Sequence, residues 1–268
     1  MLDKMRYINH IGEVIEFGKD YLINTNDFRN YEWAYNSRYN KIVSFRKHIV
    51  KKTLPVLIEG SNAYDKANRL FEVIEKDVLE AKSGCMEING YKLKGYFYAS
   101  KKKDYTRGDI IKVDMSFVSD SNLWIKESEP YYFNIEESAT DGLDYNHDYA
   151  YDYTSSLYTS LLSNPNYTDT DFRITISGKA VNPSIVIAGH TYAVDGIIEE
   201  GENLFIDSID KTVYLIRRDG AVVNKFGDRD KDSYIFQKIP SGGSSVSWGS
   251  DFAFSIVLIE QRSEPRWN

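Results

Sequence analysis

One helix stands out in a chain that otherwise reads as strands and turns, and that contrast limits the fold more than any other feature. Ser61 or Asn62 is placed to cap its start, where first-turn N–H groups lack intrahelical partners. Ala67, Leu70, Phe71, Ile74, Val78 and Ala81 follow at three- and four-residue steps, and Gly84 lies where a left-handed cap is expected. The spacing predicts a helix over residues 63–82 that lays one apolar stripe across a sheet.

The remaining apolar residues come in short runs. Tyr7 and Ile8, then Val14, Ile15 and Phe17, read as strands separated by turns at residues 9–12 and 18–20. Alternation over residues 28–35 predicts another strand, followed by a loop at 36–41, a returning strand at 42–50 and a further strand at 54–58. Beyond the helix, residues 85–88 and 91–98 flank Asn89-Gly90, a pair that tolerates the positive φ of a type I′ hairpin turn. A strand at 110–118 ends near Trp124.

Residues 127–166 are rich in Tyr, Asp, Ser and Asn and lack a regular period, as in a connection. From Phe172 onward, apolar runs alternate with turns such as Glu202-Asn203 and Asp219-Gly220, the pattern of a β-sandwich. The expected fold is mainly β, with two β-sandwich domains, the first carrying one α-helix and β-hairpins. Expected limits are 1–138 and 139–268, with 139–168 as the connecting segment.

Charge narrows the functional classes. A net charge of −7 repels a phosphate backbone, and the short run Lys101-Lys102-Lys103 reads as a solvated hairpin end. The single cysteine, Cys85, leaves stability to burial, as in a protein made in a reducing cytoplasm. The first residues hold no apolar signal segment, and no apolar run approaches the ~20 residues of a membrane-spanning helix.

No catalytic constellation emerges. Ser241-Gly242-Gly243-Ser244-Ser245 lacks the lysine and helix of a phosphate cradle. Asp228-Arg229-Asp230-Lys231-Asp232 opens like a calcium loop, but Ser233 and Ile239 stand where Gly and a bidentate Glu are needed, so it reads as a charged turn. His10, His48, His147 and His190 share no ligand spacing, and the cluster Asp144 to Asp148 reads as a solvated linker. No catalytic, cofactor or metal residue is expected.

The ordered series Ile88-Asn89-Gly90-Tyr91-Lys92-Leu93-Lys94-Gly95-Tyr96, Phe117-Val118, Trp124, Asn182-Pro183, Gly201-Glu202-Asn203-Leu204-Phe205-Ile206-Asp207-Ser208, Asn224-Lys225-Phe226, Ile239-Pro240-Ser241-Gly242, Ser247-Trp248 and Ser263-Glu264-Pro265-Arg266-Trp267 resembles the distal tail (Dit) proteins of long-tailed phages of Gram-positive bacteria. The resemblance implies a non-enzymatic protein of the virion tail tip, with an N-terminal β-sandwich in a six-fold ring around the channel. It further implies a galectin-like C-terminal β-sandwich facing outward. The partners it implies are the tail tube protein, the tape-measure protein, a tail-associated lysin or spike, and receptor-binding or baseplate proteins.

The stretch from Tyr31 to Lys52 is longer than the resemblance leads one to expect. It is expected to form a hairpin that clasps a neighbouring subunit or points into the channel, with Tyr31, Trp33, Tyr35, Tyr39 and Phe45 as contact residues. A second reading is a carbohydrate-binding protein, in which Trp248, Tyr149 and Tyr151 would form a sugar or partner platform.

Overall fold

The computed structural model describes residues 4–106, 109–134, 157–249 and 252–267; for 104–106 and 157–159 only the backbone is described. The fold is mainly β, and the chain divides into two compact units. One comprises Met1–Lys126 together with Gln261–Asn268; the other is Glu127–Glu260.

The first unit begins with β1 (Met5–Ile8), β2 (Val14–Glu16) and β3 (Tyr21–Ile23), then α1 (Asn26–Arg29). A hairpin of β4 (Ala34–Arg38) and β5 (Lys41–Arg46) leads into β6 (Val50–Glu59) and the helix α2 (Ala63–Glu80). β7 (Gly84–Ile88), β8 (Tyr91–Thr106), β9 (Ile110–Ser119) and β10 (Trp124–Glu127) complete it. β8 is long enough to serve two ladders. Its first residues pair with β7, which pairs in turn with β1, and the rest pair with β9, which pairs with β6.

Strand alternation sends Leu54, Val56, Ile58, Val113, Met115 and Phe117 inward to meet α2, in a core closed by Phe28 and Trp124. Asn89 and Gly90 both take positive φ, at 53° and 84°, so the β7–β8 turn has the geometry its dipeptide predicts.

α2 lies where its period places it, but rotated. Its buried residues are Ala63, Ala67, Leu70, Val73, Ile74 and Asp77, whereas Phe71 is half-buried and Val78 and Ala81 are exposed. The rotation follows from Asp77, which is fully buried. Its carboxylate accepts from the Tyr7 hydroxyl and from the His10 backbone N–H at 2.9 Å, with His10 Nδ1 2.5 Å away. Left without these donors, a buried carboxylate would be strongly unfavourable; with them it anchors the helix to the β1–β2 turn.

The left-handed cap is Ala81 at φ 52°, not Gly84. Gly84 instead begins β7, where a Cβ would run into the Tyr7 hydroxyl and the Asp77 carboxylate. The expected strand over 28–35 is likewise corrected. Phe28 sits in α1 with its ring 5.5 Å from that of Phe117, and extended pairing starts only at Ala34.

The second unit contains β11 (Tyr131–Phe133), β12 (Leu157–Asn164), β13 (Asp171–Ser177), β14 (Ala180–Val181), β15 (Ser184–Ile187) and β16 (His190–Ala193). β17 (Ile197–Ile198), β18 (Asn203–Asp207), β19 (Thr212–Ile216), β20 (Val222–Asn224), β21 (Gly242–Gly249) and β22 (Ala253–Arg262) follow. One sheet runs β22-β13-β18-β19-β20, with β11 also on β22, and the other runs β12-β21-β15-β16. Both contribute to one core, including Ile174, Ile176, Leu204, Ile206, Ile185 and Val246, which is the construction of a sandwich. Residues 131–133 pair with β22 and lie within this unit, which begins at Glu127.

Candidate interaction surface

Among the described residues, the β4–β5 hairpin gathers several uncovered aromatic and branched side chains on one short ribbon. Its turn is Tyr39-Asn40, with φ of 49° and 57°, the two-residue geometry that matches strand twist. Tyr35 pairs with Phe45 and Asn36 with Ser44, and the register shifts at Val43. No residue from Tyr35 to Arg46 is buried. Tyr35 is 60% exposed, Phe45 61% and Tyr39, at the tip, 85%. Ile42 and Val43 are exposed as well. A two-stranded ribbon is only marginally stable in water by itself, so its root must hold it.

The root is built densely. Lys52 sends its ammonium to the carbonyls of Asp27 and Asn30, at 3.1 and 2.7 Å, and burial pushes its pKa down while Asp27 pulls it back up. The Thr53 N–H donates to the Asp27 carboxylate, and Asn122 donates to the Glu32 carbonyl at 3.0 Å. The tail at 261–267 supplies the other side. Trp33 Nε1 donates to Ser263 Oγ at 2.9 Å, and Lys47 reaches Gln261 at 3.4 Å. Arg29, buried in α1, donates to the Pro265 carbonyl at 2.9 Å and lies 3.6 Å from a Glu264 carboxylate oxygen. Its guanidinium sits 3.7 Å from the centre of the Trp267 ring, within cation–π range.

The five hairpin residues singled out from the sequence therefore divide in two. Tyr35, Tyr39 and Phe45 project into solvent from the ribbon, while exposed Tyr31 and half-buried Trp33 belong to its root. Sequence reasoning missed Arg29, and it leaves open whether the tail from Ser263 onward folds back on the first domain. The only signal was an aromatic residue close after Pro265, and nothing local tells such a residue where to dock.

The other candidates fare differently. Trp248 is only 4% exposed, packed edge-on against Phe133 and Phe254 at 5.5 and 5.2 Å, so its ring presents no platform to a ligand. Tyr149 and Tyr151 lie outside the described residues. The 228–232 stretch is a turn: Asp228 pairs with Lys225 at 2.7 Å, and Asp230 accepts from the Asp232 N–H at 2.9 Å. Among the described residues, no three of His, Cys, Asp or Glu gather as a metal site would require. Nor is any described helix long and apolar enough to cross a membrane. Burial pushes the Cys85 thiol up to about 11, so it is a poor nucleophile at neutral pH.

No protein-family model matches the chain, and no curated protein sequence matches it either. Solved structures do. SPP1 Dit, described as a hub of the adsorption apparatus in phages infecting Gram-positive hosts, superposes with a TM-score of 0.61 at 10% identity, covering 98% of this chain and 100% of its own. The phage P2 baseplate in its activated conformation with Ca gives 0.60 at 12% identity, covering 99% and 100%, and the form with Sr gives 0.59 at 12%. At such identities the likeness is one of fold, and over nearly its whole length this chain has the fold of Dit-like phage baseplate hub proteins.

Proposed function

We propose that this chain is a structural subunit of a phage tail tip. Its first unit assembles into a closed ring, six-fold as in the family it resembles, around the tail channel. Its second unit is a galectin-like platform on the outside, where spike, receptor-binding or other baseplate proteins attach. The tail tube, the tape-measure protein and a tail-associated lysin are its remaining neighbours. No reaction is assigned to it.

The observation that carries the proposal is the end-to-end fold likeness, with 98–99% of this chain covered by phage hub structures. The hairpin supports it from physics alone. Exposed aromatic and branched residues on a ribbon anchored by buried hydrogen bonds make a surface that is held in shape and still lacks its covering layer. In the ring, the hairpin clasps a neighbouring copy.

Light scattering and negative-stain imaging of the purified chain, alone and with tail-tube protein, test this. Closed rings that vanish in a Tyr35→Ala/Phe45→Ala double variant are the expected result. A strict monomer at high concentration, with no ring even beside its partners, would overturn it.

A further inference from the structure

A recess opens where α1 meets the tail. Asn26, Arg29, Asn30, Tyr31, Glu264 and Trp267 line it, around a volume of about 660 Å³. Trp267 is 69% exposed and Tyr31 60%, and of the chain's four tryptophans only Trp267 stands mainly in solvent. The Arg29 guanidinium, 3.7 Å from the centre of the Trp267 ring, fixes that ring from one side, and is itself held by the Pro265 carbonyl. Among the described residues, Asn26 and Asn30 form hydrogen bonds through backbone atoms alone. Both side-chain amides therefore keep two donors and an acceptor in hand.

A second recess of about 430 Å³ adjoins it, sharing Asn30 and Tyr31. Both volumes fall in the range of roughly 300–1,000 Å³ common to small-ligand sites. In the second wall, Asn122 is 4% exposed; its Nδ2 donates to the Glu32 carbonyl, but its Oδ1 accepts from nothing among the described residues. His48 Nδ1 is another buried atom without a partner there. Leaving such atoms unpaired is unfavourable, so this wall suits a ligand that brings hydrogen-bonding groups. Charge narrows the ligand further. Arg29 and Glu264 balance in the first recess, and Lys51 and Lys52 balance Asp27 and Glu32 in the second. Arg29 and Lys52 also direct donors to backbone carbonyls. Neither an anion nor a cation is selected. Exposed rings beside unpaired amides fit a pyranose, whose C–H face packs on an aromatic ring while its hydroxyls donate and accept.

We propose that this groove of the first unit binds a neutral oligosaccharide. One sugar ring stacks on the open face of Trp267 and bonds through its hydroxyls to Asn26 and Asn30. The next passes Tyr31 toward Asn122 and His48. The walls are set before any ligand arrives, because Lys52 ties the Asp27 and Asn30 carbonyls together and Arg29 ties down the tail. Little is left to order on binding, which favours affinity. The sugar platform expected at Trp248 is ruled out by burial of that ring, whereas the Trp267 ring is available. Ring assembly is not required, since every residue of the groove belongs to one unit of one chain.

The test is a glycan array probed with the full chain, carrying neutral hexose and N-acetylhexosamine oligosaccharides beside sialylated, sulfated and phosphate-bearing glycans. Neutral oligosaccharides should bind, and the best of them is then titrated by calorimetry and by tryptophan emission. Binding should move the emission to shorter wavelength and shield it from iodide, because Trp267 is the exposed fluorophore. Trp267→Ala and Asn26→Ala/Asn30→Ala should each weaken binding about tenfold, the loss of one good contact. Trp267→Phe, which keeps a ring, should lose less. Unchanged melting of the asparagine variant verifies that it is folded. Tyr35→Ala/Phe45→Ala should leave glycan binding intact while removing rings, so the two readings fail separately. Binding that survives both Trp267→Ala and the asparagine variant would overturn the site. Capture of anionic glycans alone, or of none, would overturn the ligand class and leave Trp267 to a protein contact.

Discussion

The β4–β5 hairpin and the Phe133–Trp248–Phe254 cluster are built from the same kind of residue at the same strand spacing, and their fates are opposite. In the second unit, rings on strands of two sheets meet: Phe133 stacks on Phe254 at 4.7 Å, and Trp248 packs edge-on to both. In the hairpin, Tyr35 and Phe45 pair across two strands and stay exposed, with no layer above them among the described residues. Period-two alternation states that a strand has an apolar face; it does not state what covers that face. Where a second sheet lies within reach the face becomes core, and where none does it stays in solvent.

The contrast can be broken most severely at the covered end. Trp248→Ala should cost about 3–5 kcal/mol, as large-to-small changes in packed cores do, and denaturant titration should show the loss in the second unit. A cost below about 1 kcal/mol would mean that the ring is not part of a tight core. Next is the polar exception inside the other core. Asp77→Ala strands the Tyr7 hydroxyl and the His10 N–H in an apolar setting and should cost about 1–3 kcal/mol on thermal melting.

Arg29→Ala tests whether the uncovered ribbon is held from below. It should cost about 1–2 kcal/mol and make the hairpin more sensitive to limited proteolysis, since the grip on residues 264–267 is lost. Alkaline pH is a gentler probe of the covered core. Burial, and secondarily Asp77, holds the Tyr7 pKa above its ordinary value of 10.0, so the folded state favours the protonated phenol. That contribution is complete below pH 10.0 and fades as pH rises toward the folded pKa, so Tyr7→Phe should flatten the alkaline limb of a stability-versus-pH profile. The smallest stability change is expected where the interface effect is largest. Tyr35→Ala/Phe45→Ala should stay within about 0.5 kcal/mol by melting while eliminating self-association.

Much of this architecture was legible in the residues. Asn89-Gly90 announced its hairpin because only a few residue types tolerate its backbone, and the strands around Phe172, Leu204 and Thr212 showed themselves by alternation between turns. The helix was legible as a helix but not in its rotation. Phe71 and Val78 look like better core residues than Asp77, and only donors 67 and 70 positions away in the chain reverse that ranking. Phe28 was misjudged for a related reason: alternation continues through α1 into β4, and one turn of helix leaves no periodic trace of its own. Tyr31, Trp33, Tyr35, Tyr39 and Phe45 were recognisable as a group from an unusually aromatic stretch, whereas the cation that steadies their root, and the tail over it, come together only in three dimensions.

The tail carries a consequence for biosynthesis. Because residues 261–268 belong to the first unit, that unit is interrupted by the entire second one, and this piece of it leaves the ribosome after the second unit. At ordinary translation speeds, the hairpin waits on the order of ten seconds for Trp267 to arrive. Until then the ribbon of a nascent chain is rooted without its bonds to Ser263 and Pro265, and the first unit matures only after the second has been made.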